Sequence, residues 1–82
     1  MITAEQTRGA RAMLGWTMTE LAKRAGLNWF TIQRMESQSG IPAVKAPTMA
    51  AIIAAFESAG VVFLADDGSG PGVRLKPKKQ RR

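Results

Sequence analysis

Apolar positions in the first half of the chain recur every three to four residues, and each run follows a residue that can cap a helix. Ala10, Met13 and Leu14 form the first stripe. Thr3 and Gln6 precede it at the spacing of a capping box, in which each side chain answers the other's backbone N–H, and Gly15 ends the run. Thr17 and Glu20 repeat the box, with Trp16 and Leu21 placed as a hydrophobic staple. Leu21, Ala22 and Ala25 give this second helix a narrow apolar face, and Gly26 stands where a left-handed residue stops it. Asn28 caps a third helix, with Leu27 and Ile32 as its staple and Ile32 and Met35 on its apolar side. Gly40, Pro42 and Pro47 break residues 37–47 into a loop. Thr48 is expected to cap a fourth helix, whose Met49, Ile52, Ile53 and Phe56 share one face until Gly60 stops it.

The period then shortens. Val61-Val62-Phe63-Leu64 is a β-branched and aromatic run, residues 66–72 are turn chemistry, and Val73-Arg74-Leu75-Lys76 alternates apolar and basic. A hairpin is predicted. Isolated two-stranded hairpins are barely stable, and their edges invite another chain. The expected fold is therefore mostly α: four helices and a C-terminal β-hairpin. Residues 1–64 form the helical domain with the first strand, 61–76 the hairpin, expected to dimerise, and 77–82 a disordered basic tail.

Composition narrows the chemistry. The chain of 82 residues suits one domain with a modest core. It has no cysteine, histidine or tyrosine, which excludes disulfides and removes the commonest general base and metal ligand. The six acidic residues are scattered with no pair spaced to share a site, so no enzyme, cofactor or metal is expected. No basic stretch followed by an apolar one opens the chain, so no secretory signal is expected. The longest apolar run, Met49 to Phe56, falls far short of the ~20 residues of a membrane span, so no membrane association is expected and the predicted location is cytoplasmic.

The net charge of +6 is uneven. Residues 1–45 hold six basic and three acidic residues, residues 46–75 one and three, and residues 76–82 five and none. A positive balance suits a nucleic-acid partner, and it equally suits a solvated tail.

Two short helices joined by a tight glycine turn make a helix-turn-helix, and about residues 17–36 have that form. Trp16-Thr17, Leu21-Ala22, Ala25-Gly26-Leu27 and Thr31-Ile32-Gln33-Arg34-Met35-Glu36 resemble the XRE family of helix-turn-helix regulators, the group of phage repressors and Cro. Residues 1–6 and 72–76 are similar to small stand-alone members. The resemblance implies a lambda-repressor-like domain acting as a homodimeric transcriptional repressor on double-stranded DNA, nucleoid-associated when bound. An inverted repeat would match the two-fold dimer, with half-sites about 34 Å apart. It implies that the third helix, 28–36, enters the major groove. Asn28, Trp29, Phe30, Gln33 and Arg34 are then the base-contact candidates, and Thr17, Thr19, Lys23, Thr31 and Lys45 the backbone candidates. Phe56, Val61, Phe63, Val73 and Leu75 are the dimer candidates.

Two positions depart from the family pattern. Met18 stands where glutamine usually holds a phosphate, and Trp29-Phe30 stands where polar residues are usual. Three readings of the aromatic pair stand: contact with thymine methyl groups, packing back onto the protein, or contact with a partner protein. Arg34 suits a bidentate guanine contact, a phosphate contact or solvent; Gln33 suits adenine or solvent. Lys23 and Arg24 suit phosphate or solvent. The tail suits counterion release, no role, or acidic lipid. The competing functions are a protein-binding module, such as the antitoxin of a toxin–antitoxin pair, and non-specific coating of DNA.

Overall fold

Four helices followed by a two-stranded antiparallel hairpin make up the fold, in a computed structural model that describes residues 1–80. The helices are α1 (Ala4–Leu14), α2 (Met18–Ala25), α3 (Trp29–Glu36) and α4 (Ala46–Ser58). The strands are β1 (Val61–Leu64) and β2 (Gly72–Leu75).

Local chemistry explains most boundaries. The Thr3 Oγ1 accepts from the Gln6 N–H at 2.9 Å, and the Gln6 side-chain oxygen accepts from the Thr3 N–H at 2.8 Å, a complete capping box. The second box is half formed. Thr17 Oγ1 accepts from the Glu20 N–H at 3.1 Å, but the Glu20 carboxylate turns to Arg24 Nε at 2.6 Å, because an i,i+4 cation competes for it. Gly15 and Gly26 end α1 and α2 with φ of 69° and 67°, the left-handed region.

Three expectations are corrected. Thr48 does not cap α4; Lys45 is the N-cap and Ala46 begins the helix. Pro47, in the first turn, has no N–H to satisfy there and a φ already suited to helix, so it opens the helix instead of blocking it. Met13 is 42% exposed, leaving the inner side of α1 to Ala10 and the half-buried Leu14. Lys78–Gln80 form one 3-10 turn, with the Gln80 N–H donating to the Pro77 carbonyl at 2.8 Å, where a disordered tail was expected. Arg81 and Arg82 of that tail lie outside the described residues.

Leu21, Ile32, Met35, Ile52 and Phe56 are fully buried and join all but the first helix in one core, to which α1 adds Ala10. Trp16 stacks on Phe56 at 5.5 Å between ring centroids, and Phe63 meets Phe56 edge-on at 5.8 Å. The aromatic row thus runs from the start of α2 through α4 into β1.

Strand register decides which side of the hairpin the core claims. Val61 pairs with Leu75 and Phe63 with Val73, so these four side chains share one face. That face packs on the helical core, with β2 against α1 and β1 against α4. Two of the dimer candidates are therefore corrected. Phe56 and Val61 are buried inside one chain, and Phe63, Val73 and Leu75 are half-buried against its own core. The opposite face carries Val62, Leu64 and Arg74. Gln6 fastens the hairpin to α1: its side-chain amide donates to the Gly72 and Leu64 carbonyls at 2.8 and 3.2 Å. In the hairpin loop the Asp66 carboxylate accepts from the Gly68 and Gly70 N–H groups, which hold its pKa below the usual carboxylate value. Among the described residues no helix is long and apolar enough to cross a membrane.

Candidate nucleic-acid interface

The turn between α2 and α3 is short because two backbone bonds close it. The Leu27 N–H donates to the Ala22 carbonyl at 2.8 Å, and the Gly26 N–H to the Lys23 carbonyl at 3.3 Å. Asn28 then starts α3, its side-chain oxygen accepting from the Phe30 N–H at 2.7 Å. Ile32 and Met35 hold the inner side of α3 in the core. A helix with 3.6 residues per turn must then turn Trp29, Phe30, Gln33 and Arg34 elsewhere, and all four are exposed.

A buried ion pair fixes the far end of α3. Glu36 accepts from Arg11 Nε at 2.7 Å and Nη2 at 2.8 Å, a two-pronged pair, while Arg11 Nη1 donates to the Trp16 carbonyl at 2.9 Å. The Glu36 side chain is only 5% exposed. Its hydrogen bonds to Arg11 hold the guanidinium pKa above its usual value, against the opposing effect of burial. Arg8 Nη1 also donates to the Glu36 carbonyl. This anchor was missed in the sequence, where Arg11 and Glu36 counted only as charges; 25 residues separate them and no spacing rule connects them.

The aromatic pair does not fold back onto the core. Trp29 and Phe30 are 40% and 65% exposed, and their rings meet edge to face at 5.1 Å. Each ring props the other at the start of α3. Gln33 and Arg34 have no side-chain hydrogen bond or ion pair among the described residues. Asn28 is partly committed: its oxygen serves the cap, leaving the amide donors to face outward. Thr31 is half-buried.

At the start of α2, Thr17 spends its oxygen on the cap and keeps a hydroxyl proton, while Thr19 is exposed. Met18 packs against the core. The methionine is half-buried there. Lys23 and Lys45 are exposed with no ion pair among the described residues. Arg24 is engaged, paired with Glu20 and lying 4.5 Å above the Trp16 ring.

The structure therefore places Trp29, Phe30, Gln33 and Arg34 on the exposed side of one short helix, with Asn28 as its N-cap. No group of three or more carboxylates among the described residues could hold a metal ion. Scans against models of protein families and a search among curated proteins find nothing that matches this chain.

Proposed function

We propose that this chain binds double-stranded DNA sequence-specifically as a homodimer and acts as a repressor of the XRE type, with α3 in the major groove. The observation that carries the reading is the outer side of α3. It offers two amide side chains, one guanidinium and an aromatic pair to solvent, on a helix whose opposite side is locked by Ile32, Met35 and the Arg11–Glu36 pair. Those groups match what the major groove presents: hydrogen-bonding base edges and one apolar feature, the thymine methyl. The N–H groups opening α2, with Thr17, Thr19 and Lys23, suit a phosphate. A second copy would pair along the hairpin's free edge, with Val62 and Arg74 on the outward face.

The test is selection of bound duplexes from a random pool at moderate salt, comparing the full chain with Trp29→Ala, Phe30→Ala and Arg34→Ala. The expected result is a two-fold-symmetric motif. Its thymine positions relax in the aromatic variants, and one guanine position loses about 1–3 kcal/mol of discrimination in Arg34→Ala. Absence of any enriched motif would overturn the reading.

A further inference from the structure

A groove of about 1040 Å³ runs between the start of α1, the loop at residues 40–41, α4 and the open end of the hairpin. No residue of α2 or α3 lines it, so it is separate from the face assigned above to DNA. Its walls are apolar. Ile53, Phe63 and Leu64 are half-buried there, and Ile41 and Met1 stand 53% and 80% exposed beside them. Single exposed apolar residues are ordinary, but several converging on one concave surface mark an interaction site.

The charge around this groove runs against the rest of the molecule. The chain has twelve basic and six acidic residues. Glu5, Glu57 and Asp66 line the groove, and no lysine or arginine side chain does. Glu5 gives one carboxylate oxygen to the Gly40 N–H at 3.0 Å, and Asp66 gives one to the loop glycines. Asp66 keeps its second oxygen, the second oxygen of Glu5 faces the exposed Arg8 at 3.9 Å, and the Glu57 side chain makes no hydrogen bond or ion pair among the described residues. A polyanion would be repelled from this rim. A two-fold pairing of the groove with itself would also set three carboxylates against three carboxylates, which opposes association. The basic tail of a second copy matches the rim, but its residues 76–82 offer only Pro77, with no leucine, isoleucine, valine or aromatic side chain to fill the walls.

We infer that the groove receives a segment of a partner protein that carries aliphatic or aromatic side chains flanked by lysine or arginine. Ile41, Ile53, Phe63 and Leu64 take the apolar side chains, and Glu5, Glu57 and Asp66 meet the flanking cations. The site makes the chain bifunctional, with a basic aromatic face on α3 and an acidic apolar groove outside it. Occupancy of one does not block the other by direct overlap.

The experiment selects binders from a random library of displayed 12-residue peptides against the full chain, then titrates the enriched peptides into wild-type protein and three variants. Glu57→Lys and Ile41→Ser alter exposed groove residues and should leave the melting temperature unchanged; Trp29→Ala alters the α3 face. Enriched peptides should combine leucine, isoleucine or phenylalanine with flanking lysine or arginine. Glu57→Lys and Ile41→Ser should each weaken them at least about tenfold, and Trp29→Ala should not. No enrichment, enrichment of acidic peptides, or binding that survives Glu57→Lys overturns the inference. So does a dimer, seen by sedimentation equilibrium, that Glu57→Lys or Ile41→Ser dissociates, because a second copy would then fill the groove.

Discussion

Glu36 shows how one side chain sets the attitude of a whole helix. A carboxylate this enclosed is tolerable only because Arg11 meets both of its oxygens, with the Arg11 Nη1 held in turn by the Trp16 carbonyl. Removing one partner leaves the other desolvated and unpaired. Arg11→Ala should therefore lower stability by about 3–5 kcal/mol, measured by urea unfolding, far more than an exposed pair such as Arg24–Glu20 would. The double replacement Arg11→Met with Glu36→Leu should recover most of that loss, since neither charge is then stranded. If Arg11→Ala alone proves neutral, the pair does not anchor α3. The exposed residues of α3 were legible from the sequence because Asn28 fixes where the helix begins and Ile32 and Met35 fix which side turns inward. Arg11 and Glu36 were not, because their meeting depends on the packing of α1 across α3.

Glycines separate the demands of turn and helix. Gly26 closes α2 at φ 67°, where any side chain meets its own backbone, so Gly26→Ala should cost about 1–2 kcal/mol although the surrounding space is open. Gly9 lies inside α1 with ordinary helical conformation. A Cβ built there meets only Val73 Cγ2 at 3.5 Å, an ordinary contact, so Gly9→Ala should add about 0.5–1 kcal/mol. Thermal melts of the two variants should move in opposite directions. The caps of the first three helices were readable because each rests on residues two or three apart. The start of α4 was not, since Pro47 reads both as a breaker and as a first-turn residue, and only the path of the preceding loop decides. The hairpin was readable as a hairpin, yet its apolar face was assigned to a second chain. An apolar face is first claimed by the core of its own chain, and Val61, Phe63, Val73 and Leu75 lie there.

Charge divides the molecule by position. The outer side of α3 offers Arg34, while the charged residues that line the groove are Glu5, Glu57 and Asp66. The groove was invisible in the sequence because its walls come from four segments far apart in the chain. The tail was visible as charge, though its single turn at Lys78–Gln80 was not. If the tail adds counterion release to specific binding, deleting residues 77–82 should reduce the slope of log affinity against log salt by about 0.9 for each cation that met a phosphate. The ratio of specific to unrelated DNA should stay at ~10³ or more in both forms. A ratio near one in the intact chain would identify a coating protein instead.

The Gln6 amide waits for acceptors 58 and 66 residues further along the chain. At about 5–20 residues per second of synthesis, Gly72 is joined roughly 3–13 s after Gln6. During that interval the first helix has its cap but not its clasp, and the core it covers is open to proteases and to other nascent chains. Closure of the hairpin onto Gln6 is thus a natural last step of assembly, and loosening that clasp should speed the departure from the native state more than it slows the arrival.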